Sequence, residues 1–251
     1  MNRDRPGGGL GVVVGRRPAL EAVRSGTALE LVVATGSRRT PALRELLEAA
    51  RLAGVPVRWS SADEVAAVAD GARAQGVAAR IRGPRSLGEA DLGRRRWSEK
   101  AVIVVLDGVT DPRNVGGIAR TAEAAGAEAL IVRRRRGASL TPAAVRASAG
   151  ALLHLPVAEV ANVPRALARL KDAGFWAVGL DAAAETSIGQ ARPPPGRLAL
   201  VLGSEGQGLP RLAREACDEL VSIPMAGSVA SLNVAVAAGV ALFALTSWQE
   251  R

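Results

Sequence analysis

Thirty consecutive residues of this chain, Leu220 to Gln249, carry no charged side chain, although 23% of its 251 residues are charged. Such a run has to be kept from water, and a bilayer span, the lining of a cofactor pocket or a packed subunit interface would each do so. A span needs ~20 predominantly apolar residues. Here Pro224, Gly227, Ser228, Ser231 and Asn233 interrupt the run and leave Val234 to Leu245 as its longest unbroken apolar piece. The run therefore divides into a short strand ending near Ile223, a loop from Ile223 to Leu232, and a helix from Asn233 to Trp248 whose alanines and Gly239 permit close packing. No membrane partner is expected.

The remaining charge is strongly basic. The formal net charge is +9, and residues 1–96 hold 17 Arg against 10 Asp/Glu while the rest of the chain is nearly balanced. A field of that sign attracts polyanions, and arginine suits bidentate phosphate contacts, so the front part is the expected nucleic-acid binder. Lys100 and Lys171 are the only lysines, which excludes a phosphate loop of the G-x-x-x-x-G-K-[ST] kind. One cysteine, Cys217, excludes an intramolecular disulfide and a cysteine-based zinc cluster, and His154, the single histidine, reads as structural between Leu153 and Leu155. No metal is expected. The amino-terminal residues lack the apolar run of about 7–15 residues that a secretory signal needs, so a cytoplasmic location is expected.

Periodicity organises the chain as two α/β units. Residues 1–10 read as a disordered leader. Residues 11–82 alternate strand and helix, with Leu43, Leu46, Leu47 and Ala50 on one helical face. Residues 83–98 show no periodicity and read as an exposed linker bearing Arg94, Arg95 and Arg96. From residue 99 onward the alternation resumes with Ala101-Val-Ile-Val-Val-Leu-Asp107, an apolar strand of the kind buried on both faces of a parallel sheet. Asp111 and Pro112 then open a helix as N-cap and first helical residue, and Gly126 ends it. Further helices are expected over Pro142–Gly150 and Val163–Ala173.

Three glycine-bearing turns follow buried strands of this second unit: after Leu106, after Leu202 and after Ser222. Ligands of open α/β sheets bind at the carboxyl ends of strands, so the three turns point to one shared site. They supply Asn114 and Arg120, then Glu205, then Ser228, Ser231 and Asn233. Gly203-Ser-Glu-Gly-Gln-Gly208 departs from the dinucleotide order G-x-G-x-x-G and comes late in the unit. Asp107, Asp111 and Glu205 have no spacing that marks a hydrolytic carboxylate pair.

The stretches LDGVTDPRNVGGIARTAEAAG, LVLGSEGQGL and SIPMAGSVASLNVAVAAGVALF closely resemble, in order and spacing, the three motifs of the SpoU/TrmH-type RNA ribose 2′-O-methyltransferases of the SPOUT superfamily. The resemblance covers residues 101–248. It extends to the front unit, where Gly15–Ala22 and Gln75-Gly76-Val77-Ala78-Ala79 resemble the L30e/L7Ae-like substrate-binding domain of the subgroup that methylates a guanosine in the peptidyl-transferase region of 23S rRNA. In that subgroup histidine usually precedes the glutamine; Ala74 takes its place here. The resemblance implies a mainly parallel α/β catalytic domain with a deep C-terminal trefoil knot, S-adenosylmethionine as methyl donor, ribosomal RNA as substrate and a homodimer with its site at the interface. By the same resemblance Leu202, Gly203, Gly208, Ile223, Met225, Ser228 and Leu232 are cofactor-binding positions, and Asn114, Arg120, Glu205, Ser231 and Asn233 are the catalytic polar set. Arg120 is expected to stabilise a developing alkoxide or grip a phosphate, Asn114 to position ribose or phosphate, and Glu205 to orient Arg120 or a loop of the second subunit. Arg16, Arg17, Arg94, Arg95 and Arg96 are the expected RNA contacts. The rival readings are a tRNA ribose methyltransferase, an antibiotic-resistance rRNA methyltransferase, and a ribosome-associated RNA-binding protein without activity.

Overall fold

A computed structural model describes residues 11–69, 74–82, 86–134, 141–229 and 231–248. The expected leader, residues 83–85 of the expected linker and Gln249 lie outside them.

The front unit runs β1 (Gly11–Val14), α1 (Arg16–Arg24), β2 (Ala28–Ala34), α2 (Pro41–Leu52), β3 (Val57–Ser60), α3 (Ala62–Val68) and β4 (Val77–Ile81). Its sheet has the order β1-β4-β2-β3, with β4 antiparallel to both neighbours and β2 parallel to β3. Side-chain caps start the helices: Thr40 Oγ1 accepts from the backbone N–H of Leu43 and Ser61 Oγ from that of Glu64. Leu31 and Val33 face the helices α1 and α2, whose Leu43, Leu46 and Ala50 are fully buried, while Val32 and Ala34 face Val65 of α3.

The second unit contributes β5 (Ser86–Leu87), a 3-10 turn (Glu89–Gly93), β6 (Val102–Asp107), α4 (Pro112–Ala124), β7 (Ala129–Arg133), α5 (Pro142–Ala147), α6 (Ala151–His154), β8 (Val157–Val160), α7 (Val163–Asp172), β9 (Phe175–Leu180), β10 (Arg197–Gly203), α8 (Arg211–Ala216), β11 (Glu219–Val221) and α9 (Val234–Trp248). The seven strands are all parallel to their neighbours, in the order β11-β9-β10-β6-β7-β8-β5. Alternation along each strand builds a core on both faces. Val102, Val104 and Leu106, with Leu130, Val132, Leu198, Leu200 and Leu202, pack against α4, α5, α6 and α9. Ile103, Val105, Ala129, Ile131, Ala199 and Val201 pack against α7 and α8. The first of these cores is continuous with that of the front unit, and Glu21 of α1 meets His154 of α6 at 3.1 Å.

The expected exposed linker is corrected from Ser86 onward. Ser86 and Leu87 pair with β8, Leu92 and Trp97 are buried, and the Trp97 ring stands edge-on to Phe175 at 5.5 Å with its Nε1–H donated to Leu92 O. Arg197 donates to the carbonyls of Trp97, Ser98 and Ala173, which stitches the segment to the amino ends of β9 and β10. A two-residue strand and one anchoring tryptophan are too short to leave a period in the sequence. The helix expected over Pro142–Gly150 is also corrected: it is broken after Ala147, where Ala149 and Gly150 take positive φ before α6 begins.

The charge-free run is divided as its sequence suggests. β11 is an edge strand, whereas α9 packs on α4 and β10, nearer the middle of the sheet. Val234, Ala238, Ala241, Leu242 and Leu245 of α9 are buried. A Cβ built on Gly117 would stand 3.1 Å from Ala235 Cβ, and one on Gly239 3.3 Å from Thr121 Cγ2, so small residues set the close approach of α4 and α9. Among the described residues no helix is long and apolar enough to cross a membrane.

The packing of α4 on α5 leaves no room at Gly116, where a Cβ would lie 2.6 Å from Ala144 O and 2.8 Å from Ser148 N. Gly116→Ala is expected to cost about 1–3 kcal/mol of unfolding free energy by denaturant titration. Gly189→Ala, where a Cβ meets nothing within 4 Å, is expected to leave it unchanged.

Candidate active site at the carboxyl ends of the parallel strands

The central strands β6 and β10 lie side by side with Asp107 opposite Gly203, so the turns that leave them start together. The β10 turn closes on itself: Ser204 N donates to Gly208 O at 3.1 Å and Gly208 N to Ser204 O at 3.0 Å. Position 203 has to be glycine, because a Cβ there would fall 2.0 Å from the carbonyl oxygen of Gly208. At the start of α4, Asp111 Oδ1 accepts from the Arg113 backbone N–H at 2.8 Å. The Arg113 guanidinium, hydrogen-bonded to the same carboxylate, holds it below the usual carboxylate range.

Three side chains, one from each glycine-bearing turn, meet here. Asn114 Nδ2 donates to Glu205 Oε1 at 2.7 Å. Asn233 Nδ2 donates to Glu205 Oε1 at 2.9 Å and to Asn114 Oδ1 at 3.0 Å. The Asn233 amide cannot be reversed, since its Oδ1 accepts from the backbone N–H groups of Ala235 and Val236 and so caps α9. One residue thus sets the start of the last helix and aims two N–H bonds at the cluster, and Glu205 Oε2 accepts no hydrogen bond among the described residues.

Arg120 lies two turns further along α4, exposed, and pairs with no carboxylate among the described residues. Glu205 does not pair with it: the two asparagines donate to Oε1 of that carboxylate instead. Ser231 is exposed in the segment that leads into α9. Of the positions expected to bind a cofactor, Leu202 and Gly203 are buried at the end of β10, Gly208 closes its turn, Ile223 and Met225 are half-buried just beyond β11, and Ser228 and Leu232 are exposed.

The expected RNA contacts divide. Arg17 is exposed at the start of α1, but Arg16 Nη1 donates to Thr40 Oγ1 at 2.6 Å and ties α1 to α2. Arg94, Arg95 and Arg96 are exposed, with Arg95 over the Trp97 ring, yet they stand by the amino ends of the parallel strands, opposite the Asn114–Glu205–Asn233 cluster. Cys217 takes no part: burial pushes its thiol up to about 12 and its Sγ–H is donated to Ala213 O. No group of three His, Cys, Asp or Glu stands where it could hold a metal ion among the described residues. The sequence passes over one pair, Asp107 at the end of β6 and Arg133 at the end of β7, joined at 3.1 Å. An acid that ends an otherwise apolar strand is the only trace it leaves.

Residues 101–243 match the SpoU rRNA Methylase family, and residues 12–87 match the RNA 2′-O ribose methyltransferase substrate-binding family. The chain is 41% identical over 207 residues to the 23S rRNA (guanosine-2′-O-)-methyltransferase RlmB of Salmonella typhi, covering 82% of this chain and 85% of that protein. It is also 41% identical over 234 residues to an uncharacterized tRNA/rRNA methyltransferase of Mycolicibacterium vanbaalenii, covering 92% of this chain and 74% of that one. The crystal structure of the SpoU methyltransferase AviRb from Streptomyces viridochromogenes in complex with AdoMet superposes with a TM-score of 0.79 at 30% identity, over 96% of this chain and 91% of that one.

Asn233→Ala removes a helix cap as well as both cluster bonds, and is expected to cost about 1 kcal/mol of stability. Asn114→Ala, which removes only exposed side-chain bonds, is expected to cost less than half as much in the same denaturant titration.

Proposed function

Because this chain belongs to the SpoU rRNA methylase family, we propose that it is an S-adenosylmethionine-dependent RNA methyltransferase acting in the cytoplasm on the ribose 2′-hydroxyl of a guanosine in 23S rRNA. The observation that carries this reading is the meeting of Asn114, Glu205 and Asn233, 28 to 119 residues apart in sequence, with Asn114 on the helix that also bears Arg120, which has no carboxylate partner among the described residues.

The residues present fit the cofactor. The β10 turn offers bare backbone, with open space around Gly206 and Gly208, and the segment after β11 offers the half-exposed apolar side chains Ile223, Met225 and Leu232. No cation lies between Leu220 and Gln249, which suits a ligand that is itself a sulfonium. When bound, S-adenosylmethionine supplies an electrophilic methyl group. The chain's own task is to align the ribose oxygen in line with that methyl and to favour the charge that develops on the oxygen. Arg120 suits the second part, because a guanidinium stays protonated and so stabilises an alkoxide or grips the adjacent phosphate rather than accepting a proton. Asn114 and Glu205 hold each other in fixed orientation and present hydrogen-bonding groups to ribose or phosphate; Asn233 locks both.

The active form in this reading is a homodimer. Val236, Val240 and Phe243 follow one another at i, i+4 and i+7 along α9, all exposed, with Phe243 at 54%, and Leu232 lies just before them in the chain. An apolar row of this kind is suited to a second copy of the same helix, and it starts next to the Asn233 cap, so site and interface share one segment. The step from edge strand β11 back to a last helix that packs on β10 supports the trefoil knot implied by the family resemblance.

Arg120→Ala is expected to keep its affinity for S-adenosylmethionine by calorimetry while methyl incorporation into 23S rRNA falls by about 10²–10³-fold; unchanged turnover would remove Arg120 from the mechanism. Ala237→Trp is expected to weaken dimerisation, read by ultracentrifugation, and cofactor affinity together. Mapping ribose methylation across the RNA of a deletion strain, before and after restoring this gene, tests the substrate: the lost and regained site should lie in 23S rRNA, and a tRNA site instead would overturn the proposal.

A further inference from the structure

Asp107 is 3% exposed, and its partner Arg133 is 34% exposed. A carboxylate buried to that degree is costly even when paired, and an ion pair of this kind is often replaceable by apolar residues without loss of stability. Its position is more telling than its energy. Asp107 follows Val105 by two residues, Arg133 follows Ile131 by two and Gly203 follows Val201 by two, so all three stand on the same side of successive strands at their carboxyl ends. With strands about 4.8 Å apart, Arg133 lies about 10 Å from the start of the β10 turn. Only Nη1 of Arg133 is engaged, at 3.1 Å from Asp107 Oδ1; its Nε and Nη2 make no hydrogen bond among the described residues. Arg134 follows at the same end, exposed, with Nη2 donated to Glu159 O.

The order of strands separates this cation from the proposed cofactor positions. Across the carboxyl ends the sequence is β11, β9, β10, β6, β7, β8. The half-exposed apolar residues after β11 lie to one side of the Asn114–Glu205–Asn233 cluster, and Arg133 and Arg134 lie to the other. We propose that Arg133, held in place by the buried carboxylate of Asp107 and accompanied by Arg134, binds a backbone phosphate of the substrate RNA next to the nucleotide being modified. A guanidinium anchored at one nitrogen presents its remaining N–H groups in a fixed fork, which matches two oxygens of a phosphodiester. The inference rests on RNA being the substrate, as proposed above.

The test is binding of 23S rRNA transcribed in vitro to the full-length protein across a range of salt, with S-adenosylmethionine affinity measured separately by calorimetry. Arg133→Gln is expected to weaken RNA binding about tenfold and to reduce the slope of log K against log salt by about one, the share of a single phosphate, with cofactor affinity unchanged. Arg133→Lys is expected to restore the slope but only part of the affinity. If Arg133→Gln is unstable because Asp107 loses its counter-charge, the double variant Asp107→Asn, Arg133→Gln removes both charges and is expected to show the same RNA defect. An unchanged slope and affinity would overturn the proposal, and so would a loss of cofactor affinity with RNA binding intact, which would place the cofactor's carboxylate on Arg133. If the unaltered protein binds 23S rRNA without methylating it, the proposed function fails, and the salt slope still decides this site.

Discussion

Seven parallel strands leave all their outgoing chains at one end, and the rest of the structure follows from that constraint. Each strand that leads to another must be followed by a crossover that returns to the amino end, so helices cover both faces and the central strands β6 and β10 are buried on both. The turns after Asp107, Gly203 and Val221 then share one edge although they come from three distant parts of the chain. Only at that edge can backbone groups be exposed without opening the core. The chemistry-bearing residues gather there because the topology leaves them no other common location.

Asn233 converts this proximity into a defined geometry. Its amide oxygen is committed to the N–H groups of α9 and its amide nitrogen to Glu205 and Asn114. The cap fixes the side chain, and the fixed side chain fixes the cluster. Movement of α9 against α4 therefore reaches the site through a single residue. Gly117 and Gly239 bring the two helices close enough for that coupling to be direct.

Much of this was legible in the sequence, and the rest was hidden for identifiable reasons. Elements with a clear period and a cap, such as α2 behind Thr40 and α4 behind Asp111, begin where the residues say they should. Ser86–Trp97 has no period to detect, and its attachment depends on Trp97 finding Phe175 far along the chain. The meeting of Asn114, Glu205 and Asn233 was implied by three glycine turns after buried strands, but its pattern of hydrogen bonds was not. Which donor reaches Glu205 depends on sub-ångström placement of turns; the family resemblance offered Arg120 or a loop of a second subunit, and within the chain two asparagines reach it.

Arginine shows the same limit most sharply, because one residue type carries four different roles here. Arg197 is structural, with each of its three guanidinium nitrogens donating to a carbonyl, of Ser98, Ala173 or Trp97. Arg113 is paired with the acid two residues before it, and Arg16 holds Thr40. Arg120 has no acid partner among the described residues. Only those donors of a guanidinium that no nearer carboxylate or carbonyl has claimed are open to a polyanionic ligand without loss of a partner. The net charge of +9 says that a polyanion will be attracted; only the inventory of engaged donors says where it can be held. By that criterion Arg16 and Arg197 are already spoken for by hydroxyl and carbonyl partners, whereas Arg120 is claimed by no carboxylate among the described residues.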